Sequence, residues 1–418
     1  MTHPYTRVRR GIVVATAVGA LVVPIAGGAA TALPASAAAA PTVTEPPSPS
    51  SSSGDGVVEL TPAVQKQVDA AVQRVMKQAS IPGVTVGIWT PGQGDYVKSF
   101  GVRDKSTGQK MDPGLYMRIG SETKTFTVTA LLELVDQGKI GLDDTIDKYI
   151  DGVPNGDKIT LRQLAGMRSG LFNYSADEDF FKALTSNPQR PFTPQELLDY
   201  SFKHPVLFPP GEKFYYCNTN LILLGLVVEK ISGQTLANYI QQHILDRAGM
   251  AHTLFPTGNE FPTPHSQGYT NQTATGKVED SADWNPSWGW AAGAMISQLQ
   301  DLHTWARTVA TGVLPNGETL ISPATQKQRL ITPATPIPGA GYGLGIFNVQ
   351  GWIGHNGSLP GYESLTIYLP SARATLVVLL NTDINYKNEE PSTLLGDAIT
   401  TIISPDHVFN LPAEPAAQ

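Results

Sequence analysis

Apolar side chains recur at Val64, Val68, Val72, Val75 and Met76 after Thr61-Pro62, the spacing of one helix face behind a helix start. The period then drops to two. Residues 84–89 and 96–102 flank Pro91-Gly92-Gln93-Gly94 and predict a β-hairpin. From 120 to 138 the pattern loses its polar face. Thr123, Thr125, Thr127 and Thr129 alternate with Phe126, Val128 and Ala130 as in a strand, but nineteen residues are too many for one. Leu131, Leu132, Leu134 and Val135 follow, and Gly138 is placed as a C-terminal stop. A helix that is apolar nearly all round is stable only when buried, so this segment is predicted to be the central helix.

Residues 142–284 carry mainly helical spacing, with helices expected from 161, from 194, over 221–231 and over 236–245, and they predict a helical subdomain. Beyond Trp288, residues 291–296 and 301–308 read as helices. Residues 342–349, 352–355, 364–369 and 375–381 read as antiparallel strands, and 393–403 as a last helix. Strands at both ends with helices between them predict an α+β fold with one sheet built from the two ends of the chain.

The 418 residues, 41% hydrophobic and 16% charged, suffice for a substantial core. A net charge of -7 with no basic block after the first ten positions argues against nucleic acid or an anionic membrane as partner. The single cysteine, Cys217, excludes an internal disulfide framework and any multi-thiolate metal site. The eight histidines show no metal-ligand spacing, so no cofactor is expected. Arg7, Arg9 and Arg10, an apolar run to about Ala30, and Ala35-Ser36-Ala37 fit an export signal over 1–37; a retained anchor is the alternative. Residues 38–56, rich in Ala, Pro and Ser, read as a linker, 57–405 as the folded domain, and 406–418 as a tail.

Three short motifs carry candidate chemistry. On a helix Ser121 and Lys124 share a face, which sets an amine beside a hydroxyl in a desolvated place; a lysine disfavoured as a cation can take a serine's proton. Alone, the pair reads more readily as a helix cap and a solvent-facing lysine. Tyr216 and Asn218, two apart in a segment expected to be extended, point to one side. A nearby lysine is expected to ease loss of the phenol proton, and Asn218 offers a donor and an acceptor for a substrate amide. His355-Asn356-Gly357 falls at the end of a predicted strand, where an open edge could pair with substrate and the N–H of Ser358 could join that of Ser121 as an oxyanion hole.

Ser121-Glu122-Thr123-Lys124, Tyr216-Cys217-Asn218 and His355-Asn356-Gly357, in this order, resemble the S-x-x-K, Y-x-N and H-x-G motifs of the serine β-lactamase and penicillin-binding protein superfamily. The closest resemblance is to its branch of secreted D-alanyl-D-alanine carboxypeptidases, class C β-lactamases and related esterases and amidases. The resemblance implies a sheet flanked by helices, with the active site against a helical subdomain. It also implies Ser121 as nucleophile, Lys124 as its activating neighbour, Tyr216 as general acid/base and Asn218 as substrate ligand. His355 stands where the family often has a cationic or hydrogen-bonding group facing substrate, Ser358 would complete the oxyanion hole, and Trp288 would wall the cleft. Small peptide or ester substrates are implied, with β-lactams as acylating ligands. The absence of Lys or Arg between 341 and 356 departs from what a carboxypeptidase needs to hold a terminal carboxylate.

Overall fold

The computed structural model describes residues 56–411. The expected export signal, the linker up to residue 55 and the chain past 411 lie outside the described residues. Seven strands form one antiparallel sheet: β1 (Gly83–Thr90), β2 (Gly94–Gly101), β3 (Ala340–Tyr342), β4 (Phe347–Val349), β5 (Trp352–Leu359), β6 (Tyr362–Leu369) and β7 (Ala374–Leu380), in the order β2-β1-β7-β6-β5-β4-β3. The expected hairpin therefore joins the late strands through β1 and β7, with Val84 opposite Leu380. Every residue of β6 and β7 is buried, so both faces of the sheet are covered. Helices α1 (Pro62–Ala79) and α5 (Pro391–Ile403) pack together, with α5 on β6 and β7, while α4 (Leu299–Thr311) lies along β7, β6 and β5.

The predicted central helix forms in two pieces. A 3-10 turn at Gly120–Glu122 leads into α2 (Thr123–Asp136), and Gly138 at φ +68 ends it. Ser121 therefore sits within the first turn, not at the cap. All residues from Thr123 to Leu134 are buried, which explains the threonines. Each hydroxyl in this helix finds a partner: Thr125 donates to Glu122 O at 2.7 Å, Thr127 to Ala291 O at 2.7 Å and Thr129 to Thr125 O at 2.6 Å, and Thr123 accepts from Met295 N–H at 3.1 Å. Buried Arg329 adds a further clamp by donating to Thr125 O and Thr129 Oγ1, both at 2.8 Å. The strand-like alternation thus records hydrogen-bonding needs inside a buried helix, not a pleat.

Several expectations are corrected. The single strand expected over 342–349 is β3 and β4, because the chain turns through Gly345 at φ +69. Residues 291–296 are not a helix: after a 3-10 turn at Trp290–Ala292, Met295 O accepts from Ile119 N–H and Ile296 exchanges both backbone bonds with Leu254. Two helices went unpredicted, Glu178–Ser186 behind an Asp177 cap and Pro323–Arg329 behind Ser322. Residues 406–411, expected as a tail, pack on the domain with Phe409 buried beside Gly396. β5 continues to Leu359 instead of ending at His355, because Gly357 and Ser358 pair with Ser364 and Glu363 of β6. On its other side β4 pairs only as far as Gly354. From His355 to Leu359 no strand of the sheet pairs with that side, which leaves the open edge the sequence led us to expect.

Candidate active site

That open edge of β5 meets the start of α2. Gly120 sits at φ +51, and a Cβ there would lie 2.8 Å from Ser358 N; a Cβ on Gly357 would lie 1.9 Å from Ile119 O. Two glycines are therefore what let the backbones at 119–120 and 357–358 touch. Gly357→Ala is expected to cost about 1–3 kcal/mol or more through overpacking, seen as a lower urea midpoint with an unchanged m value. An unaltered midpoint would show that the contact yields at no cost.

Ser121 lines a cavity of ≈ 300 Å³ between this edge and the helical subdomain. Beneath it Lys124 is fully buried, with Nζ 2.8 Å from Ser121 Oγ and 2.8 Å from Ala292 O. Burial drives the ammonium well below its usual value. Nζ donates to Ala292 O and to Ser121 Oγ, and loss of the proton that burial disfavours frees a lone pair for the serine hydroxyl. Its Nζ lies 4.9 Å from the centre of the Tyr216 ring. Burial pushes the Tyr216 phenol up, against a hydrogen bond with Ser121 that lowers it. This corrects the expectation that the lysine would ease its deprotonation: desolvation of the phenol outweighs its hydrogen bond with Ser121, and Glu390 adds to the upward shift.

Tyr216 is the next-to-last extended residue before α3 (Asn218–Ser232), which packs against α2. Tyr216 and Asn218 both line the cavity, although Asn218 already opens the helix. Asn218 is fixed by residues the sequence did not single out. Its N–H donates to Asn173 Oδ1 and its Nδ2 to Ser175 Oγ, each at 3.1 Å, while its Oδ1 is buried without a partner. Cys217 between them is buried and donates to Leu171 O at 3.4 Å, and burial raises its thiol to about 11. It is a packed side chain, not an accessible thiol.

Alternation along β5 sorts the third motif. Asn356 and Ser358 line the cavity, whereas His355 and Gly357 do not. His355 is 2% exposed, boxed by the rings of Tyr342, Phe347 and Tyr216, and accepts at Nε2 from the Tyr342 hydroxyl at 3.2 Å. Burial first, and Lys124 second, push its imidazole down to about 3. The expected cationic or hydrogen-bonding group facing substrate is therefore a neutral support behind Tyr216. Trp288 walls the cavity as expected, and the unpredicted helix Glu178–Ser186 adds Phe180, Phe181 and Leu184. Its signal was present in the sequence, a capping Asp177 before Glu178-Asp179 and two phenylalanines. Glu390, which accepts from Asn356 Nδ2 at 2.8 Å, belongs to no motif. Among the described residues no cluster suited to a metal ion occurs, and no helix is long and apolar enough to cross a membrane.

A helix-flanked antiparallel sheet with a Ser-x-x-Lys pair, its lysine buried, beside a Tyr-x-Asn pair defines the class of serine β-lactamases and penicillin-binding proteins. The chain belongs to the Beta-lactamase family, whose model matches residues 68–397. It is 28% identical over 336 residues to Protein flp of Staphylococcus aureus (strain MW2), covering 78% of this chain but only 65% of that relative's length. A D-stereospecific amidohydrolase from Streptomyces sp. superposes with a TM-score of 0.68 at 29% identity, over 76% of this chain and 95% of that one. The D-amino acid amidase from Ochrobactrum anthropi SV3, solved with L-phenylalanine amide, superposes with a TM-score of 0.70 at 23% identity, over 80% and 97%. At that identity the second likeness supports the fold alone.

Proposed function

We propose that this family hydrolase opens small amide or ester substrates of the amino-acid type through an acyl-enzyme on Ser121, after export directed by residues 1–37. The observation that carries the reading is the buried Lys124 amine 2.8 Å from the Ser121 hydroxyl. Ser121 Oγ attacks the carbonyl carbon while its proton passes to the Lys124 amine. The N–H groups of Ser121 and Ser358 would hold the oxyanion, brought near one another by the approach of Gly120, next to Ser121, to Ser358. As the bond to the leaving group breaks, Tyr216 gives its proton to the departing nitrogen or oxygen and regains one from the Lys124 ammonium. Water then attacks the acyl carbon, loses its proton to the restored amine, and the product acid leaves as Ser121 regains its hydrogen. Asn218 Oδ1 would accept an N–H of the bound substrate.

D-Alanyl-D-alanine carboxypeptidase activity is the second reading, favoured by the order of the three motifs. It requires a cation for the substrate's terminal carboxylate, and neither His355 nor any residue lining the cleft offers one. A panel of nitrophenyl acetate, an amino acid amide and a D-Ala-D-Ala peptide separates the two. Turnover of the first two with little of the third is expected; efficient release of D-Ala would restore the carboxypeptidase. Inactivity on all three would end the hydrolase reading.

A further inference from the structure

The cleft's charge is one-sided. Its lining contains Asp383 and Glu390 but no lysine, arginine or histidine. Lys124 lies beneath Ser121, and buried Arg118 donates to Ala282 O and Trp284 O under the Phe261 ring, lining only a small cavity beyond Trp288. Asp383 is committed to the fold, since Gly361 N–H, Thr270 and Gln272 all donate to it. Glu390 is not. It occupies the cap position of α5 yet makes no capping bond, and its carboxylate turns to the cleft, where Asn356 Nδ2 at 2.8 Å is its hydrogen-bond donor among the described residues. Asn356 lies two residues from Ser358 on the same side of β5, so the residue that holds Glu390 is roughly 7 Å along the strand from the place where Gly120 approaches Ser358. A second acceptor has no donor at all: Asn218 Oδ1 is buried and unpaired, and Asn218 lines the same cleft. A carboxylate and an amide oxygen facing a cleft without cations call for N–H donors brought by the substrate.

We propose that Glu390 holds a substrate ammonium, so that the preferred substrates are esters or amides of amino acids with a free amino group. The inference rests on the acyl-enzyme reading above and narrows it. In the same cleft Phe180, Leu184 and Trp288 offer an apolar surface for the substrate's side chain. Burial pushes the Glu390 carboxyl up despite its bond to Asn356, and the nearby Asp383 adds to the shift. Glu390 in turn raises buried Glu363, so three carboxyls lie together with no cation lining the cleft, and an arriving ammonium relieves their repulsion.

The test compares kcat/KM for phenylalanine methyl ester and its N-acetyl derivative, in both enantiomers, with nitrophenyl acetate alongside. The wild type is expected to favour the free amine by about 10- to 100-fold. In Glu390→Gln that ratio should collapse through KM for the amine, with Glu390→Asp retaining part of it. Equal turnover of the two esters by the wild type, or a ratio unchanged in Glu390→Gln, overturns the assignment of Glu390 while leaving the acyl-enzyme intact. Failure to turn over even nitrophenyl acetate overturns both. The wild-type ratio alone decides if a variant does not fold.

Discussion

Ser121→Ala is expected to lower kcat on every substrate in the panel by roughly 10⁴-fold or more while leaving the fold unchanged. The size follows from the chemistry: without Oγ no acyl-enzyme forms, and what remains is the contribution of binding and of the oxyanion N–H groups. The fold should tolerate the change because the hydroxyl is half-buried at the cleft wall and bonds to Lys124 and Tyr216, not to the backbone that sets α2. Steady-state kinetics with far-UV circular dichroism checks both halves. A residual rate within tenfold of the parent would mean that another residue is the nucleophile.

Lys124→Met is expected to cost about 10³- to 10⁴-fold in kcat/KM, within the range seen when a general base is lost, and to leave the protein at least as stable as the parent. The sign on stability follows from proton counting. The folded protein holds this lysine neutral, the unfolded chain protonates it, and the unfolded state therefore binds more protons between the lowered folded value and the ordinary lysine value. Parent stability should rise with pH across that window, and the variant should lose this slope. In the parent, kcat/KM should rise with pH as the amine becomes neutral and level off below the pH at which an ordinary lysine deprotonates. Melting curves and a pH–rate profile measure both. A variant with full activity, or a parent whose activity rises only near the ordinary lysine value, would contradict the role given to the buried amine.

The parts of this site that the sequence made legible are those written in spacing along one element. Ser121 and Lys124 are three apart on a helix whose lack of a polar face announced its burial, and Tyr216 and Asn218 lie close enough in the chain to reach one cavity whether the second is extended or helical. What depended on register was not legible. A strand that ends at His355 can present that imidazole to substrate, but the strand continues to Leu359 and its alternation turns Asn356 and Ser358 inward and His355 behind Tyr216. Tyr216 shows a different limit. A lysine expected to lie beside Tyr216 in space argues for an easily lost proton, and only the burial of the phenol reverses that conclusion. Glu390 carries no local signal at all. Its meaning comes from Asn356, thirty-four residues earlier, and from the absence of cations on surfaces contributed by distant segments.

Trapping the covalent intermediate tests the assignment most directly. Intact-protein mass spectrometry after incubation with a penicillin, followed by peptide mapping, should show one adduct of the inhibitor's mass on the peptide bearing Ser121, and none in Ser121→Ala. A wild-type protein that turns over nitrophenyl acetate yet carries its acyl group on a different residue would contradict the account.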